Sequence, residues 1–170
     1  MNSLPLLFLL AGQASIEQAD AVAAFHCSGH PSMGWVNVQD VQAAYSWRSI
    51  AIIKAGLAGD VSRLSSMVAP SATFAVWRGD SAWSGRSTGA AATVRFAKWL
   101  NPKTFQFSNG ISGPVAIHPC GEATAELMLK GDASDEPAIV TFKYRDGILI
   151  AVDGRQVKLV SGAFGAAGSK

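Results

Sequence analysis

Residues 55–100, AGLAGDVSRLSSMVAPSATFAVWRGDSAWSGRSTGAAATVRFAKWL, switch repeatedly between helical and extended patterns, and those switches decide the fold. Gly59-Asp60 closes one helix and opens another: glycine accepts a left-handed C-cap, and an aspartate carboxylate accepts from the free N–H groups of a helix start. Val61, Leu64, Met67 and Val68 keep helical spacing for about two turns. This predicts a helix over 61–68, stopped by Pro70. Ala72-Thr73-Phe74-Ala75-Val76-Trp77 is rich in β-branched and aromatic residues and reads as a strand. After a turn-rich stretch, Ser87 and Thr88 offer an N-cap for a helix over 88–100, closed by Asn101-Pro102.

Upstream, Asn37 caps a long helix expected over 38–58. Val38, Val41, Tyr45, Arg48, Ile52 and Ala55 recur on it at alternating spacings of three and four. One face is therefore apolar except for Arg48 and the hydroxyl of Tyr45. Beyond Pro102 the period changes. Thr104 to Ile117 alternates around Phe105 and Phe107, interrupted at Gly110 and Gly113-Pro114. Ala123, Ala125, Leu127 and Leu129 alternate with wetter residues, and Ala138–Arg145 and Ile148–Val152 form a hairpin through Asp146-Gly147. Asp153-Gly154 admits two readings, a second turn or a bulge inside one final strand ending near Val160. The resulting class is α+β, with three helices and an antiparallel sheet of four to six strands.

The chain has 170 residues, 49% of them apolar and 15% charged, which suits one domain with a substantial core and a terminal extension. Its net charge of +2 comes from dispersed Lys and Arg. A nucleic-acid surface needs clustered cations to displace counterions, so nucleic acid is not an expected partner. No apolar run reaches the length of a membrane span, so no stable membrane insertion is expected. Residues 1–19 read either as a secretory signal peptide or as an N-terminal helix docked on the domain. Leu4–Ala11 is a short apolar run followed by small residues, but Met1-Asn2-Ser3 lacks a basic residue. The first reading implies a secreted or periplasmic protein, the second a cytoplasmic one. Residues 20–36 read as an irregular connector, 37–162 as the domain, and 163–170 as a frayed tail.

Ala58-Gly59-Asp60, Leu64, Val68, Ala69-Pro70-Ser71-Ala72-Thr73-Phe74, Gly85 and Phe142-Lys143-Tyr144-Arg145-Asp146-Gly147-Ile148 together resemble the nuclear transport factor 2-like superfamily, between Val38 and Val160. That superfamily includes ketosteroid isomerases and SnoaL-like polyketide cyclases. The resemblance implies a cone-like, strongly curved antiparallel sheet wrapped around the long N-terminal helix, with two further helices and a pocket in the cone. It implies no single activity, because the fold hosts enzymes and non-catalytic binding proteins alike. The isomerase residues can be carried over one by one. The catalytic acid falls on Val76, the oxyanion-binding tyrosine on Ile52, and the second acid near Val140 or Thr141. None of these titrates, so the steroid-isomerase mechanism cannot run.

All three histidines and both cysteines fall in two clusters, His26-Cys27-x-x-His30 and His118-Pro119-Cys120. A Cys27–Cys120 disulfide is the economical reading for an exported chain. A mixed Cys/His metal site, a Cys–His nucleophilic pair and chance stay open beside it. The spacing matches no standard zinc motif, so no metal or other cofactor is assigned. Trp35, Trp47, Trp77, Trp83 and Trp99 read, each taken singly, as ordinary packing; the alternative is an aromatic pocket gripping a flat ligand.

Arg48 needs either solvent or a partner. With Tyr45 one turn away it offers a polar end to a pocket lined by Ile52, Phe74 and Val76. The leading reading is therefore a SnoaL-like domain binding a hydrophobic small molecule. An isomerase, cyclase or dehydratase using Tyr45, Arg48 or His118 is the second. A non-catalytic scaffold, a homodimer through the open sheet, is the third.

Overall fold

A computed structural model describes residues 27, 36–78, 81–83, 88–107, 116–117, 119–131 and 136–157. The expectations for residues 1–19, most of the 20–36 connector, the three histidines, Gly85 and the tail lie outside the described residues.

Asn37 opens the first helix, α1 (Val38–Ala58), where its side-chain oxygen accepts the Gln39 N–H at 2.8 Å. Gly59 closes it at φ 75°, the left-handed conformation glycine takes without steric cost. Asp60 caps α2 (Val61–Ser65), its carboxylate accepting the Arg63 N–H at 3.0 Å. Thr88 precedes α3 (Gly89–Leu100) without a side-chain capping bond, and Asn101 ends it at φ 41°.

α2 is shorter than the periodicity predicts, and Pro70 does not stop it. The Met67 carbonyl accepts the Leu149 N–H at 2.9 Å, which draws the chain into a strand, β2 (Val68–Arg78), that contains Pro70. Pairing of β2 with the last strand is interrupted between Val68 and Thr73. The N–H that proline lacks is therefore not missed from the ladder.

The remaining strands are β1 (Val36–Asn37), β3 (Ser81–Trp83), β4 (Thr104–Phe107), β5 (Ala116–Ile117), β6 (Glu122–Lys130), β7 (Ala138–Arg145) and β8 (Ile148–Gln156). A six-stranded sheet runs β3-β2-β8-β7-β6-β4, and β1 pairs separately with β5. Every neighbour pair is antiparallel except β2–β8, which is parallel. The long connection through α3 and the middle strands makes that crossover feasible. Asp146 and Gly147, at φ 50° and 80°, form the tight turn between β7 and β8. Asp153-Gly154 lies inside β8, so the final segment is one strand. A Cβ at Gly154 would sit 2.7 Å from the Ile139 carbonyl oxygen, so β7 and β8 approach there as only glycine permits.

The sheet's inner face, with Phe74, Val76, Leu127, Val140, Phe142 and Val152, curls over α1 and α3 in one buried cluster. α1 is enclosed more fully than a one-faced helix: from Ile50 to Gly56 all residues are buried except Lys54. Gly56 permits the closeness of α3, since a Cβ there would lie 2.7 Å from that of Ala97. Among the described residues, no helix is long and apolar enough to cross a membrane.

Candidate functional site

Tyr45, Arg48 and Ser49 lie at i, i+3 and i+4 on α1, a spacing that stacks side chains on one helical face. This face meets Tyr144 near the end of β7, and all four residues are buried. The tyrosine rings lie 4.8 Å apart between centroids, tilted by 46°. The Tyr45 hydroxyl donates to the Pro119 carbonyl at 2.9 Å, and the Ser49 hydroxyl donates to the Tyr45 carbonyl at 2.8 Å. Ser49 Oγ also lies 2.6 Å from Tyr144 Oη. Serine has one hydroxyl proton, already given to the Tyr45 carbonyl, so the phenol of Tyr144 is the donor in that bond.

Arg48 is only 7% exposed. Its guanidinium acts on both phenols, but burial dominates. Desolvation pushes the Tyr45 pKa above the ordinary 10.0 against the pull of Arg48; the Asp146 carboxylate raises it further, and a hydrogen bond from the Gly147 backbone lowers it. Burial raises Tyr144 more strongly, opposed by its bond to Ser49 and by Arg48. Both phenols are therefore neutral donors near pH 7, each with its proton in a hydrogen bond.

The Pro119 carbonyl is held in place by its neighbours. The Gly121 N–H donates to Asp146 Oδ1 and the Asp146 N–H donates to the Gly121 carbonyl, both at 2.9 Å. Cys120, between Pro119 and Gly121, is joined to Cys27 by a disulfide with Cα atoms 5.3 Å apart. Sulfurs bonded to each other cannot serve as thiolate ligands, so a metal site using both is not present. Among the described residues, no group of three His, Cys, Asp or Glu side chains could hold a metal ion.

Of the residues singled out in the sequence, Tyr45 and Arg48 share this polar end of the interior. Ile52, Phe74 and Val76 are buried in the same apolar cluster, with the Phe74 ring 5.2 Å from that of Phe96 on α3. Val76, where the resemblance would put an acid, is buried among apolar residues. Trp77 points the other way and is 55% exposed, while Trp47 meets Phe107 edge to face at 5.3 Å. Asp153 pairs with Lys143 on the outer face. Sequence reasoning missed Ser49 and Tyr144. Both carried a signal: Ser49 is one turn from Tyr45, and Tyr144 shares the inward parity of Val140 and Phe142.

No family model matches the chain, and no curated protein matches it significantly. Among solved structures it is similar to a protein of unknown function of the DUF3225 family from Pectobacterium atrosepticum, at 13% identity and TM-score 0.43, over 70% of this chain and 92% of that one. A designed protein, Rd1NTF2_05 with long sheet, is similar at 15% identity and TM-score 0.37, over 64% and 94%. A protein from an enumerative algorithm for de novo design of diverse pocket structures is similar at 16% identity and TM-score 0.35, over 64% and 95%.

Proposed function

We propose that this chain is a small-molecule-binding domain, with Tyr45 and Arg48 at the polar end of an interior whose walls include Ile52, Phe74 and Val76. The observation that carries this reading is the buried guanidinium of Arg48 beside two phenols, inside an otherwise apolar cluster. A core built for stability alone gains little from such a group and incurs a desolvation cost. The ligand would be mostly hydrophobic, with one polar end toward Tyr45 and Arg48. Native mass spectrometry of freshly purified protein tests this. A one-to-one adduct that disappears on denaturation, and is weakened by Arg48→Met, is expected. A bare mass, with no binding from a panel of sterols, aromatic ketones and fatty acids, would overturn it.

The proton inventory argues against either phenol acting as a general base. General acid–base chemistry needs a group that exchanges a proton near working pH, and burial keeps both phenols neutral. The enzymatic alternative would use Tyr45 or Arg48 as donors to a developing oxyanion, or His118, outside the described residues.

Self-association through the sheet is favoured by one feature of the outer face. Trp77, Arg155, Ile139 and Met128 are successive cross-strand partners, a row with an exposed indole at one end. Sedimentation should show a dimer that Trp77→Lys converts to monomer; a wild-type monomer at every concentration refutes it. The disulfide supports an oxidising compartment, secreted or periplasmic.

A further inference from the structure

Phe107 is exposed on the inner side of the sheet. It pairs across strands with Leu127, and Phe105 pairs with Leu129, so both phenylalanines of β4 share a face with those buried leucines. Phe107 is nevertheless 48% exposed, and its ring meets that of half-buried Trp47 on α1 at 5.3 Å, with the planes 75° apart. A lone exposed apolar side chain on an outer face is ordinary. An exposed ring on the inner face, braced by an indole from the enclosed helix, shows that the sheet's inner face meets solvent at this edge. From there toward the polar end the side chains are small. Between Leu127 and the level of Tyr144, which pairs with Ala123, the inner face of β6 carries Ala125 and Ala123. On α1, Ala44, Trp47 and Arg48 stand at i, i+3 and i+4. Phe107 and Tyr144 are four residues apart along β6, about 13 Å, a separation that a molecule of two or more fused rings spans and a small ion does not.

We propose that the corner between Trp47 and Phe107 is an aromatic subsite, holding a planar ring of a ligand whose polar end lies toward Tyr45 and Arg48. Two rings set nearly at right angles leave a corner for a third, which can lay its face on one and its edge toward the other; both arrangements are favourable for aromatic pairs. Seating a ring there also covers apolar surface of Phe107 that otherwise faces water. A puckered, saturated ring of the same size gains that burial but not the ring-to-ring contact. The subsite presupposes the ligand-binding reading and narrows its ligand to a planar aromatic class.

The test compares 2-naphthoate with trans-decalin-2-carboxylate, which share a carboxylate and a two-ring skeleton and differ in planarity. Binding of each is measured by titration calorimetry to the full chain as wild type, Phe107→Leu, Phe107→Tyr and Arg48→Met, with cooperative melting as the check of folding. Wild type should bind naphthoate about three- to tenfold more tightly than the decalin acid. Phe107→Leu should remove that preference, Phe107→Tyr should keep it because the ring remains, and Arg48→Met should weaken both acids alike. Equal affinities in wild type, a preference that survives Phe107→Leu, or one lost in Phe107→Tyr would overturn the subsite and leave the ligand-binding reading standing. So would failure of both acids where a sterol or fatty acid binds. A wild-type chain that binds neither acid, and nothing in the panel of sterols, aromatic ketones and fatty acids, would overturn both.

Discussion

Removing the Ser49 hydroxyl should cost more than removing the Tyr144 hydroxyl, although each breaks the same 2.6 Å bond. In Ser49→Ala, the Tyr144 phenol stays 1% exposed with its acceptor gone. A buried donor left without a partner costs about 1–3 kcal/mol. In Tyr144→Phe the donor itself leaves, while Ser49 still donates to the Tyr45 carbonyl. That change should cost only about 1 kcal/mol, the net value of an ordinary hydrogen bond. The double variant has no stranded phenol, so it should be about as stable as Tyr144→Phe alone, giving a coupling equal to the whole cost of Ser49→Ala, about 1–3 kcal/mol. In a chain of this size roughly 2 kcal/mol is about 4–8 °C of melting temperature. Urea unfolding of wild type, both single variants and the double variant measures all of these terms. The proton assignment is refuted if Tyr144→Phe is the costlier change, or if the two changes add.

Tyr45 and Tyr144 are the only two tyrosines, so the phenolate absorbance of the whole protein reports on this pair. Both pKa values are raised in the fold above 10.0, so the unfolded chain loses these protons first. Their contribution is intact below pH 10 and falls as pH rises through the folded values. Phenolate should appear together with unfolding, and two tyrosines titrating near pH 10 in a folded chain would contradict the burial. Gly56→Ala should lose about 1–3 kcal/mol by overpacking against Ala97, and Ala97→Gly should recover part of that loss. Equal urea midpoints for Gly56→Ala and wild type would mean that α1 and α3 are not so close. Thiol titration of the unfolded, unreduced chain should find no reactive cysteine, and two per chain would exclude the disulfide.

The helices were legible where local chemistry governs them. Asn37, Gly59 and Asp60 cap as their side chains and backbone preferences dictate, and α1 follows from spacing and caps; α3 ends at Asn101 as expected, but Thr88 makes no side-chain capping bond at its start. The end of α2 was not legible, because it is set by the Leu149 N–H, far away in sequence. The parallel register of β2 on β8 was hidden for a related reason: alternation marks a strand but not its neighbour's direction. At the polar end, Tyr45 and Arg48 stood out as anomalies on an apolar face. Tyr144 did not, because an aromatic residue at an inward strand position looks like ordinary core until its hydroxyl meets Ser49.

The place of β8 in the sheet bears on how the chain is made. It is the last strand in the described sequence, yet it lies between β2 and β7. During synthesis Thr73 waits for Ala151 and Phe74 for Val152, so the apolar face of β2 leaves the ribosome long before its parallel partner exists. Until then β3–β2 and β7–β6–β4 are two fragments with no strand joining them, and protease protection of ribosome-bound chains should rise only once Gln156 has emerged. Quality control is thus written into strand order: a chain broken off before Ile148 keeps every described helix, but its main sheet is left as two fragments without the strand that joins them.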